Sequence, residues 1–311
     1  MNDVVPLSPV LRSRAFSLAR GSVTGVFWLV LALCAGRTQT NFYWDLNGSS
    51  NGAGVTPSGI WDTTSLNWNT TANGTTANEV FVSGGNALFS AGTNASGAYT
   101  ITVSGTQNVS GITIQDGTPT FTGGTINFND ATPTLTVNNN RTLNWGSTAI
   151  TSLTNTVTKG GGGTLNFNQN FTFGGTLNLS GGTLRLTDSQ LTLGTLNVTA
   201  NTTIDFAGSA STLNLSNLTI AAGVTLTITN WSNATDYFYT SNWSGAALDV
   251  SGSTPMNRVV FNGFTGANTH WSSFDHQITP VPEPATYGAL FFSGLAGFGL
   301  IRRWRTARRS R

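Results

Sequence analysis

The residues of this chain that could do chemistry are few, and the best-spaced group is a pair of aspartates near an arginine. Asp188 and Asp205 lie 17 positions apart, with Arg185 just before the first. Two carboxylates about 5–10 Å apart are typical of a glycosidase, and a calcium-bound carboxylate with a basic residue is typical of a polysaccharide lyase. The alternative is structural, with Asp188 as a turn residue and Asp205 at a lone outward position. We favour it because no two of the ten carboxylates between residues 41 and 281 lie within four positions of each other.

A weaker group lies further along the chain. His270 and His276 are six positions apart, and Asp275 precedes the second histidine. Zinc sites take three or four protein ligands, most often His or Cys. Cys34 is the only cysteine, and it falls in an apolar run near the N-terminus. We therefore expect no metal, no cofactor, no disulfide and no catalytic residue.

The C-terminal segment has the features of a site that a processing enzyme recognises. Val281-Pro282-Glu283-Pro284 precedes an uncharged run, 285–301, and an arginine cluster that includes Arg302, Arg303 and Arg305. The prolines keep the tetrapeptide extended. The run is at the short end of what spans a bilayer, and the arginines hold its far end on the cytoplasmic side. The pattern predicts a transmembrane helix over 285–301 with the tetrapeptide exposed at the outer membrane boundary.

Residues 281–311 resemble the PEP-CTERM sorting signal of Gram-negative, biofilm-forming bacteria. The resemblance rests on Pro282-Glu283-Pro284, an apolar helix and an arginine cluster in that order. It implies export, recognition by a membrane-embedded exosortase, and a transient anchor in the inner membrane before the protein reaches the cell surface or the extracellular matrix. A plain C-terminal tail anchor is the alternative interpretation.

The N-terminus also indicates export. Arg12, Arg14 and Arg20 precede an apolar run, 26–35, which is the pattern of a secretory signal peptide, and we assign residues 1–40 to a signal helix. The basic residues of both ends account for the positive net charge of the chain, because residues 41–281 carry four basic and ten acidic side chains. Nucleic-acid binding therefore lacks a basic surface.

Between the two ends, short segments alternate polar and apolar residues, as do strands with one buried face. Gly pairs at 123–124, 174–175 and 181–182 precede some of these segments and could adopt the positive φ of a turn. Eight segments repeat the phrase Thr-Leu-Asn-Leu or a close variant. They begin at residues 125, 142, 164, 176, 183, 195, 212 and 225.

The repeated phrase predicts an all-β fold, a right-handed parallel β-helix (a solenoid) with coils of about 20 residues. We place the repeats at 96–230. Thr and Asn at equivalent outward positions should stack into ladders without the repulsion that charged side chains would suffer. A lectin-type β-sandwich also has short alternating strands, but it lacks a repeated phrase.

The flanking segments, 41–95 and 231–280, are rich in aromatic residues. A solenoid leaves an open sheet edge at each end, and we expect these segments to be caps that cover the edges. Four of their tryptophans belong either to the cores of the caps, which we favour, or to an exposed surface that stacks on the sugar rings of an exopolysaccharide. These are Trp44, Trp61, Trp68 and Trp243.

The body of the chain resembles the autotransporter-associated β-strand repeat proteins. The resemblance rests on Tyr43-Trp44-Asp45, on Gly59-Ile60-Trp61-Asp62 and on the run 175–184, and it extends over about 43–228. It implies a secreted β-solenoid without a defined chemistry. We expect an exported, non-enzymatic structural or adhesive protein of the bacterial envelope or extracellular matrix. An exopolysaccharide-binding module and a β-helix lyase or glycosidase are the alternatives.

Overall fold

The computed structural model describes residues 39–152, 154–243, 250–251 and 256–280. The described residues all belong to one compact unit. The signal helix and the transmembrane helix that the sequence predicts lie outside the described residues. Within the described part of the chain, no helix is both long enough and apolar enough to cross a membrane.

The described residues form strands joined by turns. Two short 3-10 helices cover Met256–Arg258 and Gly266–Asn268. The strands are β1 (Asn41–Trp44), β2 (Gly59–Trp61), β3 (Trp68–Asn69), β4 (Gly85–Phe89), β5 (Ala98–Val103), β6 (Thr106–Ile114), β7 (Thr118–Thr122), β8 (Thr125–Phe128), β9 (Thr134–Val137), β10 (Thr142–Trp145), β11 (Ala149–Ser152), β12 (Thr156–Gly160), β13 (Thr164–Phe167), β14 (Phe171–Leu179), β15 (Thr183–Thr187), β16 (Gln190–Val198), β17 (Thr202–Ala207), β18 (Thr212–Ile220), β19 (Leu226–Thr229), β20 (Tyr237–Trp243), β21 (Val250–Ser251), β22 (Val259–Phe261), β23 (Thr269–Trp271) and β24 (Ile278–Pro280).

The chain winds between two long sheets. One has twelve strands and runs from β3 to β20, and the other has nine strands in the order β2-β5-β7-β10-β13-β15-β17-β19-β22. Neighbouring strands pair in parallel, except for β1 with β3 and for the small sheet β21-β23-β24, which are antiparallel. The body is therefore a parallel β-solenoid of about seven turns, and the predicted all-β solenoid is confirmed.

The repeated phrases lie on the strands and stack on one another in register. Thr142 pairs with Thr164, Thr164 with Thr183, and Thr183 with Thr203, so that one coil is 19 to 22 residues long here. The leucines that follow each threonine point inward. Leu143, Leu165 and Leu184 are at most 1% exposed. The core is thus a column of apolar side chains from successive coils, which buries each coil against its neighbours.

Each complete coil has three faces, because the long strands bend. Strand β14 pairs with β16 in two stretches, 171–173 and 176–179, with a register shift between them. Earlier in the chain the two faces are separate strands, since β8 and β9 pair with different halves of β6. Gly174 and Gly175 occupy the bend, where a Cβ on Gly175 would lie 2.3 Å from the backbone oxygen of Asn155. A close backbone approach therefore requires glycine at position 175.

The other two glycine pairs behave as the sequence predicts. Gly123, Gly124 and Gly182 have φ values of 69°, 51° and 69°, which are costly for residues with a side chain. Gly174 and Gly175, by contrast, are not among the positive-φ glycines of the described residues. The prediction that this pair turns through positive φ is therefore wrong. Gly175 serves packing instead, whereas a Cβ on Gly174 would meet no atom within 4 Å.

Aromatic side chains fill the interior at both ends of the solenoid. Trp44, Trp61 and Trp68 pack edge to face, with ring centroids 5.0 to 5.1 Å apart. Near the other end Trp231 packs between Phe206 and Phe261. Parallel pairing nevertheless continues into both flanking segments, since β4 pairs with β6 and β20 pairs with β18. The boundaries at 95/96 and 230/231 stay predictions.

Candidate functional site

Asp205 forms an ion pair with Arg185. Nε of Arg185 donates to Oδ2 of Asp205 at 2.7 Å, and the two residues face each other on β15 and β17. Oδ1 also accepts a hydrogen bond from the side chain of Asn230 at 2.6 Å. The expectation of a lone outward aspartate is therefore wrong, because the coil is 20 residues long here and sets Arg185, not Asp188, opposite Asp205.

Asp188 is a turn residue, as the favoured interpretation holds. It has φ of 47°. Its Oδ1 accepts the backbone N–H groups of Ser209 and Ala210 at 2.5 and 3.3 Å. Asp188 and Asp205 thus hold different parts of the chain in place, and the structure does not bring them together as a catalytic pair.

The two histidines also have separate surroundings. His276 has φ of 61°, and its ring stacks on Trp271 with centroids 5.9 Å apart. His270 lies opposite Thr279 in the β23–β24 ladder. A hydrogen bond with the Ser272 side chain lowers the pKa of Asp275. Among the described residues, no three His, Cys, Asp or Glu side chains are grouped closely enough to hold a metal ion.

The tryptophans proposed for sugar contact are buried. Trp44, Trp61 and Trp68 are 0% exposed and Trp243 is 4% exposed. A sugar ring stacks on an open aromatic face, and these indole faces are covered by core side chains. The favoured interpretation as core residues therefore describes all four, and the alternative of an exposed surface that stacks on sugar rings is wrong for them.

The outward faces carry three ladders of side-chain hydrogen bonds, as predicted. In each ladder, asparagine amides donate to the preceding coil. The first ladder comprises Asn108, Asn127 and Thr151, with distances of 2.7 and 2.9 Å. The second comprises Thr158, Asn178, Asn197 and Thr219, with distances of 3.3, 3.1 and 2.6 Å. The third comprises Thr120, Asn144, Asn166 and Thr187, with distances of 3.4, 2.9 and 2.9 Å.

A buried lysine is a feature that sequence analysis missed. Lys159 occupies an inward position of β12 and is 0% exposed. Its Nζ donates to the backbone oxygens of Gly161, Gly163 and Gly181 at 3.0, 2.6 and 2.8 Å. Burial lowers the pKa of Lys159 to about 8. The side chain thereby ties together the glycine turns of two successive coils. The Gly-rich run after Lys159 was the available signal.

Sequence analysis also missed a cavity along one corner of the solenoid. A cavity of about 650 Å³ is lined by Ala72, Asn73, Gly92, Thr93, Gln115, Asp116 and Arg141. A second, of about 430 Å³, is lined by Gln115, Asn138, Asn139, Arg141 and Gly161. The two share Gln115 and Arg141, and we call them together the corner groove. It follows the turns after β4, β6, β9 and β12, together with the loop at residues 72–73.

An ion pair closes the base of the corner groove. A guanidinium nitrogen of Arg141 lies 2.8 Å from Oδ1 of Asp116, whose side chain is 4% exposed. The same Oδ1 accepts the backbone N–H of Gly117 at 3.1 Å. Oδ2 of Asp116 is buried without a hydrogen-bond partner among the described residues. Burial, and then the charge of Asp116, raise the pKa of Tyr99, whose hydroxyl contacts the backbone oxygen of Asp116.

Comparison with known proteins bears on both parts of the chain. The family model of the PEP-CTERM protein-sorting motif matches residues 280–305, a range that contains every sorting residue that the sequence predicts. The chain is also 30% identical over 275 residues to the adhesin BmaC autotransporter of Brucella suis biovar 1 (strain 1330). That match covers 87% of this chain and about 7% of the length of the relative. No solved structure matches.

The chain therefore carries a PEP-CTERM sorting motif, and its β-solenoid body is distantly homologous to an autotransporter adhesin. The motif implies processing by an exosortase, and the two similarities together imply an exported protein of the cell surface. The tetrapeptide 281–284 and the arginines Arg302, Arg303 and Arg305 lie outside the described residues, so their individual roles stay predictions.

Proposed function

We propose that this protein is an exported, non-enzymatic adhesive or structural protein of the bacterial envelope or extracellular matrix. The observation that carries the proposal is a sorting motif at 280–305 that directly follows a β-solenoid body. The relative that matches most of the body is named as an adhesin. A stack of coils with polar outer faces presents a long, regular surface, which suits contact with a surface or a matrix polymer.

The absence of catalysis is part of the proposal. Asp188 caps a turn, and Asp205 is paired with Arg185. Asp236 accepts the backbone N–H groups of Ser211 and Ser232. Each of these carboxylates holds the fold together, and a carboxylate with such partners is poorly placed to exchange protons with a substrate.

The proposal includes details of architecture. We infer that the solenoid is right-handed, because connections between parallel strands of one sheet are right-handed in about 98% of cases. We also infer that the aromatic segments 41–95 and 231–280 act as caps, which keep the sheet edges from pairing with other chains.

The sorting step depends in this proposal on Glu283. It is the single charge between Gln277 and Ile301, and two prolines hold it extended at the end of the apolar run. An exosortase-type enzyme in the inner membrane would then act at this tetrapeptide. Arg302, Arg303 and Arg305 would orient the helix by keeping its end cytoplasmic.

The experiment follows the mass and membrane fraction of tagged protein in the native host. Glu283→Ala should leave the protein in the inner membrane at its uncleaved mass. Glu79→Ala, which changes the other glutamate of the chain, is the matched control and should mature normally. Uncharged residues at Arg302, Arg303 and Arg305 should disturb retention and orientation. Normal maturation of Glu283→Ala would reduce the segment to a simple anchor.

The adhesive role has its own test. Cells without the protein should attach less to a surface or to a preformed matrix, and the intact gene should restore attachment. Equal attachment with and without the protein would contradict an adhesive role and favour a purely structural one.

A further inference from the structure

The corner groove has the features of a binding site that none of the strand patterns accounts for. Successive turns of the solenoid contribute to it, and stacked strands are about 4.8 Å apart. The groove therefore runs along the stacking direction of the coils. Its two cavities join through Gln115 and Arg141, whose side chains are both half-buried. This shape suits a chain-like ligand better than a compact one.

The base of the groove contains an unmet hydrogen-bonding group. Asp116 is 3% exposed, and its Oδ1 is fully engaged by Arg141 and Gly117. Its Oδ2 has no donor among the described residues. Because Oδ2 is closed to solvent, a ligand in the groove does not reach it. The half-buried guanidinium of Arg141, which pairs with Oδ1, is the donor of this ion pair that a ligand hydroxyl would meet.

The charges of the lining favour a neutral ligand over a strongly ionic one. Asp116 and Arg141 are the charged residues among the groove's lining side chains, and they pair with each other. The pair is neutral overall, so the groove offers a strongly ionic polymer no net charge of opposite sign. The other polar lining residues offer amides and a hydroxyl: Asn73, Thr93, Gln115, Asn138 and Asn139. Amides both donate and accept, which matches a ligand rich in neutral hydroxyl groups.

The backbone around the groove argues against a peptide. An extended peptide is usually bound by adding a strand to an open sheet edge. Here the backbone N–H groups of Gln115, Asn138 and Gly163 already donate to the preceding coil, at 2.6, 3.0 and 2.9 Å. The turns present side chains and not a free ladder of backbone groups.

We propose that the corner groove binds a neutral polysaccharide chain, whose hydroxyl groups hydrogen-bond to Gln115, Asn138 and Arg141. This inference deepens the proposed adhesive function and rests on it, since it names the class of polymer to which the protein adheres. It also replaces the tryptophans with polar side chains as the means of sugar contact.

The test uses the purified full chain in detergent. The probes are dextran, maltohexaose and cellohexaose as neutral glycans, alginate oligosaccharides as acidic ones, and an unrelated extended peptide. Gln115→Ala and Asn138→Ala are the variants. Asn129→Ala is the matched control, because Asn129 is also an exposed asparagine, lies in the preceding turn and does not line the groove. Affinity is measured by calorimetry, and folding is checked by the melting temperature.

We expect at least one neutral glycan to bind, with affinity at least tenfold lower for both groove variants and unchanged for Asn129→Ala at equal melting temperature. Equal binding by the groove variants would overturn the proposal, as would binding of only alginate or only the peptide. If no neutral glycan binds while cells still need the protein for attachment, the groove proposal fails and the adhesive function stands. If attachment does not need the protein but the groove binds glycan, the adhesive function fails alone.

Discussion

On the flat faces of the solenoid, asparagine and threonine side chains bond to one another from coil to coil. Along the corner groove, asparagine and glutamine side chains line open space around an ion pair with one unmet oxygen. Side-chain amides therefore hold neighbouring coils together on the faces, whereas at the corner they are free to hydrogen-bond to a ligand. The difference arises because face residues are held in register by strand pairing, whereas corner residues sit in turns whose lengths vary from coil to coil.

A change in the core should have the largest effect, since both surfaces depend on it. Leu184 is 0% exposed and stacks between Leu165 and Ile204. Leu184→Ala should lower the free energy of unfolding by about 2–5 kcal/mol, because it removes buried methyl groups and leaves a cavity. Denaturant unfolding measures the change. The neighbouring outward change Thr183→Ala should cost less than about 1 kcal/mol, and equal costs would contradict the assigned inward and outward faces.

Replacing Lys159, which links the glycine turns of two successive coils, should have the next largest effect on stability. Lys159→Met leaves three backbone oxygens without their donor, and we expect a loss of about 1–3 kcal/mol at pH 7. The pKa of Lys159 is lowered from 10.5 to about 8, so the unfolded chain binds more protons than the native protein between these values. The free energy of unfolding contributed by this group should therefore rise as the pH rises through that window.

The check is the difference in unfolding free energy between wild type and Lys159→Met at several pH values from 7 to 10. That difference cancels the titration of other groups, such as the tyrosines. A difference that is independent of pH would show that the lysine keeps its ordinary pKa in the fold.

The ladders themselves can be tested by introducing charge. Asn178→Asp removes the amide that donates to Thr158, which should cost about 1 kcal/mol. Asn178 and Asn197 face each other on β14 and β16. Changing both to Asp should cost more than the two single changes together, because like charges directly opposite each other repel. A double-mutant cycle by denaturant unfolding measures the excess, and strict additivity would contradict the idea that ladders must be uncharged.

The smallest effect on stability is expected at the corner. Asn138 is exposed, and Asn138→Ala should change the free energy of unfolding by less than about 0.5 kcal/mol. Asn166→Ala, in the third ladder, should cost about 1 kcal/mol because it interrupts two bonds of the ladder. Thermal unfolding of the two variants side by side measures the difference. Equal losses of unfolding free energy would contradict the idea that face asparagines stabilise the fold and corner asparagines do not.

The strands and ladders could be predicted from the sequence because they repeat. A leucine at every second position specifies an inward column, and Asn or Thr between the leucines specifies an outward one. The partners of single residues could not be predicted in this way, since they depend on the exact length of each coil. Asp205 illustrates this, because a coil of 20 residues rather than 17 exchanges an aspartate neighbour for Arg185.

The cavity and the buried lysine were beyond sequence reasoning for a related reason. Asp116 and Arg141 are 25 positions apart and lie in turns, where no periodicity relates one coil to the next. Lys159 stands at a position that the pattern reserves for leucine, and only the folded glycine turns show the three oxygens that satisfy it. The tryptophans were ambiguous because aromatic residues suit both a core and a sugar-binding surface.

Each ladder has a direction and an end. Every amide donates toward the N-terminal coil, so a coil that emerges later meets acceptors already fixed by the coil before it. Each series then ends in a threonine: Thr151, Thr219 and Thr187. Two of the ladders also begin at a threonine, Thr158 and Thr120, whose hydroxyl accepts the first amide. In polymer terms each ladder is a polar string with a donor-to-acceptor direction, and the backbone continues past its end, since β17 pairs with β15 beyond Thr187 and β20 pairs with β18 beyond Thr219.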